Sequence, residues 1–91
     1  MLIVVCYDIA DNGRRTRLHK TLEAYGRAVQ RSVFECDIRP QDFERLRRKV
    51  HRLTRPDDDQ VRYYVLCEAC VKRIDVKGGP PVQRAPAYYL V

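Results

Sequence analysis

Ninety-one residues, 45% hydrophobic and 33% charged, make one small folded domain and exclude an intrinsically disordered chain. No apolar run approaches the ~18–20 residues that cross a bilayer, which argues against a membrane protein. Eighteen Lys and Arg against twelve Asp and Glu leave a net charge of +6, mostly on Arg, whose planar fork of donors matches phosphate oxygens, so nucleic acid is the simplest polyanionic partner to expect.

Leu2 to Asp8 is almost wholly apolar and predicts a central strand covered on both faces. The stretch is too short for a signal sequence and has no basic segment ahead of it, so a cytoplasmic location is expected. Ile9 to Gly13 predicts a turn, with Asp11 and Asn12 as candidate N-caps. From Arg14 to Tyr25, Leu18, Leu22 and Tyr25 recur at helical spacing, and Gly26 is expected at C′. Residues 28–38 alternate well enough for one long, bent strand. Pro40 then opens a second helix whose buried face is Phe43, Leu46, Val50 and Leu53, with Arg45, Arg47, Arg48, Lys49 and Arg52 outside it.

Arg55 to Asp59 is a loop in which the run Asp57, Asp58 and Asp59 is expected to solvate the turn. Val61 to Cys67 predicts a third strand, rich in β-branched and aromatic residues. Val71 to Lys77 predicts a short fourth strand, broken by Gly78, Gly79, Pro80 and Pro81. Cys67 and Cys70 have the spacing of half a zinc site or of a redox pair. Without a second such pair, and in a cytosolic protein, all four cysteines are expected to stay reduced. The tail from Pro86 to Val91 has strand composition and needs a sheet edge to join, its own or a partner's.

This order predicts an α+β fold, a ferredoxin-like sandwich (βαββαβ) with two helices on one face of an antiparallel sheet. The domain is expected over 1–80, with a C-terminal strand over 81–91. The face without helices would carry Leu2, Val4, Cys6 and Tyr63 or Tyr64. It is not polar enough to sit in water, and a chain this short buries only part of its surface, so a homodimer packed sheet to sheet is expected.

Asp8 is the foremost site candidate. An ionised carboxylate is costly to bury unless it is paired or bound to a metal, and an apolar strand has no structural use for one at its end. The cluster Arg14, Arg15 and Arg17 directly behind it points to phosphate chemistry. Phe34 reads as a buried strand aromatic or as a platform on which a base stacks. Ser32 orients a water or satisfies a backbone group, and Tyr7 belongs to the core or an interface. His19 and His51 read as surface residues of the two helices.

The elements Tyr7-Asp8-Ile9, the Arg-rich helix start, Gly26, Gln30 and Ser32-Val33-Phe34-Glu35-Cys36 together resemble the CRISPR-associated adaptation proteins of the small Cas-two family. The resemblance covers roughly residues 2–65. It implies a ferredoxin-like homodimer in which Asp8 of each chain lies in a shared cleft and holds a divalent metal, Mg²⁺ or Mn²⁺. It also implies metal-dependent endonuclease activity and a place in the spacer-acquisition complex, where the dimer holds duplex DNA between copies of an integrase partner. Arg15 and Arg17 match the basic positions after the first strand, Phe34 matches the aromatic of the second, and Arg27 and Arg31 flank the Val29-Gln30 step.

Three functions compete on these grounds. The first is an Mg²⁺-dependent phosphodiesterase acting on RNA or DNA through paired Asp8 residues. The second is a non-catalytic scaffold that grips duplex DNA and its integrase partner, in which the arginines matter more than Asp8. A ribonuclease toxin of similar fold is the third, and the gene neighbourhood would separate it from the others.

Overall fold

The structure, a computed structural model, describes residues 1–85. The terminal strand expected over 86–91 lies outside the described residues, and 81–85 form no strand. The elements are β1 (Leu2–Asp8), α1 (Asn12–Glu23), β2 (Arg27–Gln30), β3 (Val33–Asp37), α2 (Pro40–Leu53), β4 (Gln60–Leu66) and α3 (Glu68–Val71). The four strands form one antiparallel sheet in the order β2-β3-β1-β4, with α1 and α2 against one face, which is the ferredoxin-like sandwich.

β1 lies between β3 and β4, and its side chains divide by parity. Ile3, Val5 and Tyr7 enter the core with Ile9, Leu18, Leu22, Phe34, Cys36, Leu46 and Val50. Val4 and Cys6 are half-buried on the opposite face, and Asp8 is exposed there. The strand is therefore covered by helices on one face only, not on both. Register puts Gln60, Arg62, Tyr64 and Leu66 of β4, and Val33, Glu35 and Asp37 of β3, on the open face with them. Of the two tyrosines, Tyr64 is the one on this face, 47% exposed, whereas Tyr63 packs edge-on against Phe43 with ring centroids 5.4 Å apart.

Each helix begins where local chemistry provides for it. The Asp11 carboxylate accepts the Arg14 amide at 2.9 Å and caps α1. Pro40 opens α2, where its missing N–H is not needed, and Asp42 in the first turn accepts Arg39 at 2.9 Å and Arg45 at 3.2 Å.

Two elements differ from the sequence expectation. Residues 28–38 are not one bent strand but a hairpin of β2 and β3, reversing at Arg31-Ser32. Neither residue is the Gly, Asn or Asp that tight hairpins favour; Ser32 takes the left-handed conformation (φ 62°) usually left to Gly or Asn. Residues 71–77 form no strand. The Val71 amide bonds the Cys67 carbonyl at 2.9 Å and the Lys72 amide bonds that of Glu68 at 3.1 Å, so the groups a ladder would need close the short α3 instead.

Gly26 is also used differently. It is not in the left-handed conformation of a C′ residue; α1 ends through Ala24, and the Gly26 amide bonds back to Leu22 at 3.0 Å. What excludes a side chain is β3, since a Cβ at residue 26 would stand 2.3 Å from the Glu35 carbonyl oxygen and 2.5 Å from the Cys36 sulfur.

Beyond α3 the chain returns to the sheet. Arg84 donates to Asp37 at 3.0 Å and to Glu68 at 2.7 Å, and the Ala85 amide donates to Asp37 at 2.7 Å. Burial alone would raise the Asp37 pKa, but these donors outweigh it and hold it below the ordinary carboxylate value. Among the described residues no helix is long and apolar enough to cross a membrane.

Gly26→Ala is expected to destabilise the fold by about 3 kcal/mol, read as a lower urea midpoint at unchanged slope. Adding Cys36→Ala will recover little of this, because the carbonyl of Glu35 is backbone and cannot move aside.

Candidate functional site

Asp8 is the last residue of β1, and strand parity sends its carboxylate to the open face, where it is exposed. Among the described residues it enters no salt bridge. Its register partner is Gln60, and Arg62 follows on the same face opposite Cys6. The Arg62 guanidinium donates to the Tyr64 hydroxyl at 3.3 Å, which holds it on the sheet surface. Sequence reasoning missed Arg62. The alternation of Gln60, Arg62 and Tyr64 with Val61, Tyr63 and Val65 is visible in the chain, but only the register shows which set faces Asp8.

The five arginines singled out in the sequence separate in space. Arg15 is held at the end of β1, donating to the Ile9 carbonyl at 3.0 Å and to the Asn12 side chain. Arg17 is exposed on α1, and Arg31 is exposed in the β2–β3 turn. That turn adjoins the end of β1, because the Tyr7 amide donates to the Ser32 carbonyl at 3.1 Å. Arg27 lies on the outer strand opposite Glu35, bonded to Gln83 at 3.1 Å, away from the groups at the strand end.

Arg14 is committed elsewhere. Its guanidinium grips Asp59 through two bonds, at 2.9 and 3.2 Å, and the same carboxylate accepts the amides of Ala10 at 3.1 Å and Arg55 at 2.9 Å. The Asp59 side chain is 0% exposed and that of Arg14 13%. Asp59 therefore does not solvate its turn as the sequence suggested, although Asp57 and Asp58 are exposed. Arg14 is correspondingly a structural cation, not one free to meet a phosphate. The Arg14 guanidinium, and then the Arg55 amide, hold the Asp59 carboxyl far below its usual range.

The aromatic candidates lie on the other side of the sheet. Phe34 is fully buried, with its ring centroid 5.1 Å from that of His19 and 6.4 Å from that of Tyr7. It offers no face to a nucleobase in this chain, which favours the buried reading over a stacking platform. Tyr7 is a core residue whose hydroxyl meets His19 Nδ1 at 3.3 Å. Ser32 serves through its backbone, by its conformation and its carbonyl. His19 is thus engaged on the helix side, and His51 lines the groove between α2 and β4 with Arg47, Arg48 and Tyr63. Neither histidine shares the open face with Asp8.

As a metal ligand, Asp8 is a hard, exposed oxygen donor of the kind Mg²⁺ or Mn²⁺ takes together with waters and phosphate oxygens. Among the described residues no group of three or more His, Cys, Asp or Glu could hold a metal ion. The described residues of one chain therefore do not make a complete centre by themselves, and a metal at Asp8 would need donors from a second copy, water or the substrate.

The Asp59 carboxylate gives a pH-dependent test. Because its folded pKa lies below the unfolded value of about 4, its contribution is present above that pH and is lost as the pH falls further. Asp59→Asn is expected to lower Tm by roughly 10 °C at pH 7, and the gap to the parent chain should narrow below pH ~3 in thermal melts.

The profile of the CRISPR associated protein Cas2 family matches residues 1–74. A relative named CRISPR-associated endoribonuclease Cas2 1, from Chloroflexus aurantiacus, is 38% identical over the full length of both chains. Among solved structures, a hypothetical protein of Thermus thermophilus superposes with a TM-score of 0.76 at 40% identity, over 88% of this chain and 94% of that one. A chain in a partial Cas6-RT-Cas1–Cas2 complex gives 0.72 at 30% identity, over 94% of both. Family profile, full-length relative and fold agree, and the chain belongs to the CRISPR-associated Cas2 family.

Proposed function

We propose that this chain forms a homodimer through its open sheet faces and acts as a metal-dependent endonuclease on RNA or DNA phosphodiesters, with the Asp8 carboxylates of the two copies as its centre. The observation that carries this reading is an exposed carboxylate at the end of the central strand, on the open face, with Arg62 on that face and Arg15 held at the strand end. The apolar and half-buried side chains of that face, Val4, Cys6 and the exposed Tyr64, favour its being covered.

A two-fold axis near Asp8 makes the residue its own counterpart and doubles the carboxylates at the site. A divalent cation bound there would polarise a phosphoryl oxygen and lower the pKa of a bound water. The Asp8 carboxylates would hold that ion and would accept a hydrogen bond from the attacking water, orienting it in line with the departing oxygen. Arg15 and Arg62 donate to the non-bridging phosphate oxygens, where negative charge accumulates in the transition state. With both histidines on the helix side, proton removal falls to Asp8 and solvent. Arg17 and Arg31 extend the basic surface along the backbone of the nucleic acid, and Arg14 remains in its structural pair.

A second reading rests on the similarity to a chain found in a complex with Cas1. In it the same dimer grips duplex DNA without cutting and bridges copies of a Cas1-type integrase partner. The arginines then carry the function, and binding weakens steeply with salt.

Asp8→Asn separates the two. The substitution is exposed and is expected to leave Tm and dimer mass unchanged. Cleavage of labelled RNA and DNA with Mg²⁺ should fall at least ~100-fold, to the level seen with EDTA. Unchanged cleavage by rigorously purified protein would refute the nuclease reading, and retained salt-sensitive duplex binding without any cleavage would leave the scaffold.

A further inference from the structure

Among the described residues, Cys67 and Cys70 are a pair of chemically reactive side chains that the nuclease reading leaves unused. Both are free and exposed, unlike Cys36, which is fully buried and whose thiol burial pushes up to about 11. Cys67 is the N-cap of α3 and Cys70 is one turn further on, within the same hydrogen-bonded turn. Residues three apart in such a turn have Cβ atoms about 5–6 Å apart, so the approach to about 4.5 Å that a disulfide requires needs only a small adjustment of the turn. The turn itself is anchored, because Glu68, between the two cysteines, accepts Arg84 at 2.7 and 3.1 Å.

The two thiols are chemically unequal. The amide and the thiol of Cys70 hold the Cys67 pKa below the ordinary cysteine value, while the neighbouring Cys67 raises that of Cys70. A more acidic thiol paired with a less acidic one is the arrangement of an attacking and a resolving cysteine. A metal site is the less favoured use, because no third ligand joins them among the described residues.

We propose that Cys67 and Cys70 form a reversible thiol–disulfide site that reacts with low-molecular-weight disulfides. The Cys67 thiolate attacks one sulfur of the incoming disulfide, forming a mixed disulfide and expelling one small thiolate. Cys70 then loses its proton to solvent and attacks the Cys67 sulfur, expelling the second small thiolate. Two protein thiols are oxidised to one disulfide and one external disulfide is reduced to two thiols.

The test uses oxidised glutathione on the full chain and on Cys67→Ser and Cys70→Ser, followed by intact mass and peptide mapping. The parent chain should lose the mass of two hydrogens, with the link mapped to Cys67–Cys70 and reversed by dithiothreitol. Cys70→Ser should stop at a glutathione adduct on Cys67, and Cys67→Ser should react at least ~10-fold more slowly. Stable adducts on both cysteines of the parent chain, links between chains, or no reaction would each overturn the site. Equal rates for the two variants would overturn the assignment of Cys67 as the attacking group.

Discussion

A strand with neighbours on both edges and helices over only one face must sort its side chains by parity, and β1 is that strand. Ile3, Val5 and Tyr7 go to the core, and everything at an even position goes the other way. An inward Asp8 would carry the desolvation cost of a charge among Leu18, Leu22 and Phe34. At an even position and at the strand's end it stays in water while keeping a rigid backbone beneath it. The same alternation, transmitted by register to β4, sets Arg62 on the side of Asp8 and sends Tyr63 to Phe43. The open face is consequently mixed, half apolar strand and half charge, and lacks the uniform polarity of a face adapted to solvent.

The basic excess is not one undivided patch. Arg14 and Arg84 are structural, each holding carboxylates that tie distant segments together. Arg39, Arg45 and Arg47 engage acidic neighbours three residues away on α2, contacts worth only a few tenths of a kcal/mol each on an exposed helix. Arg15, Arg17, Arg31 and Arg62 are among the cations that form no salt bridge within the described residues, as are Arg48 and Arg52 on α2.

The two long helices and the central strand were legible in the chain because Leu18 and Leu22, and Leu46 and Val50, mark faces at helical spacing, and Pro40 marks a start. Asp8 was legible because a carboxylate ending an apolar strand conflicts with burial. What could not be read were the features that depend on two segments meeting. The reversal at Ser32 carries none of the Gly, Asn or Asp that mark a tight hairpin, and alternation continues across it. Gly26 looks like a helix terminator from its own neighbours, and only the passage of β3 beside it explains the missing side chain. The role of Asp59, and with it that of Arg14, is set by a partner 45 residues away. Val71 to Lys77 looked like strand because Val71, Ile74 and Val76 are β-branched, whereas the turn that begins at Cys67 is set by backbone geometry.

The carboxylate of Asp59 has a consequence for the order in which the molecule comes together. Its four donors come from the β1–α1 turn, the first turn of α1 and the loop after α2, so none of its long-range bonds exists until β4 has docked beside β1. A contact of such long sequence separation carries a loop-closure cost that the local helices and the β2–β3 hairpin do not. Arg14 and Asp59 fasten the start of α1 to the loop before β4, and the same carboxylate holds the Ala10 amide two residues beyond Asp8, so losing one side chain would loosen both segments and the backbone that follows Asp8.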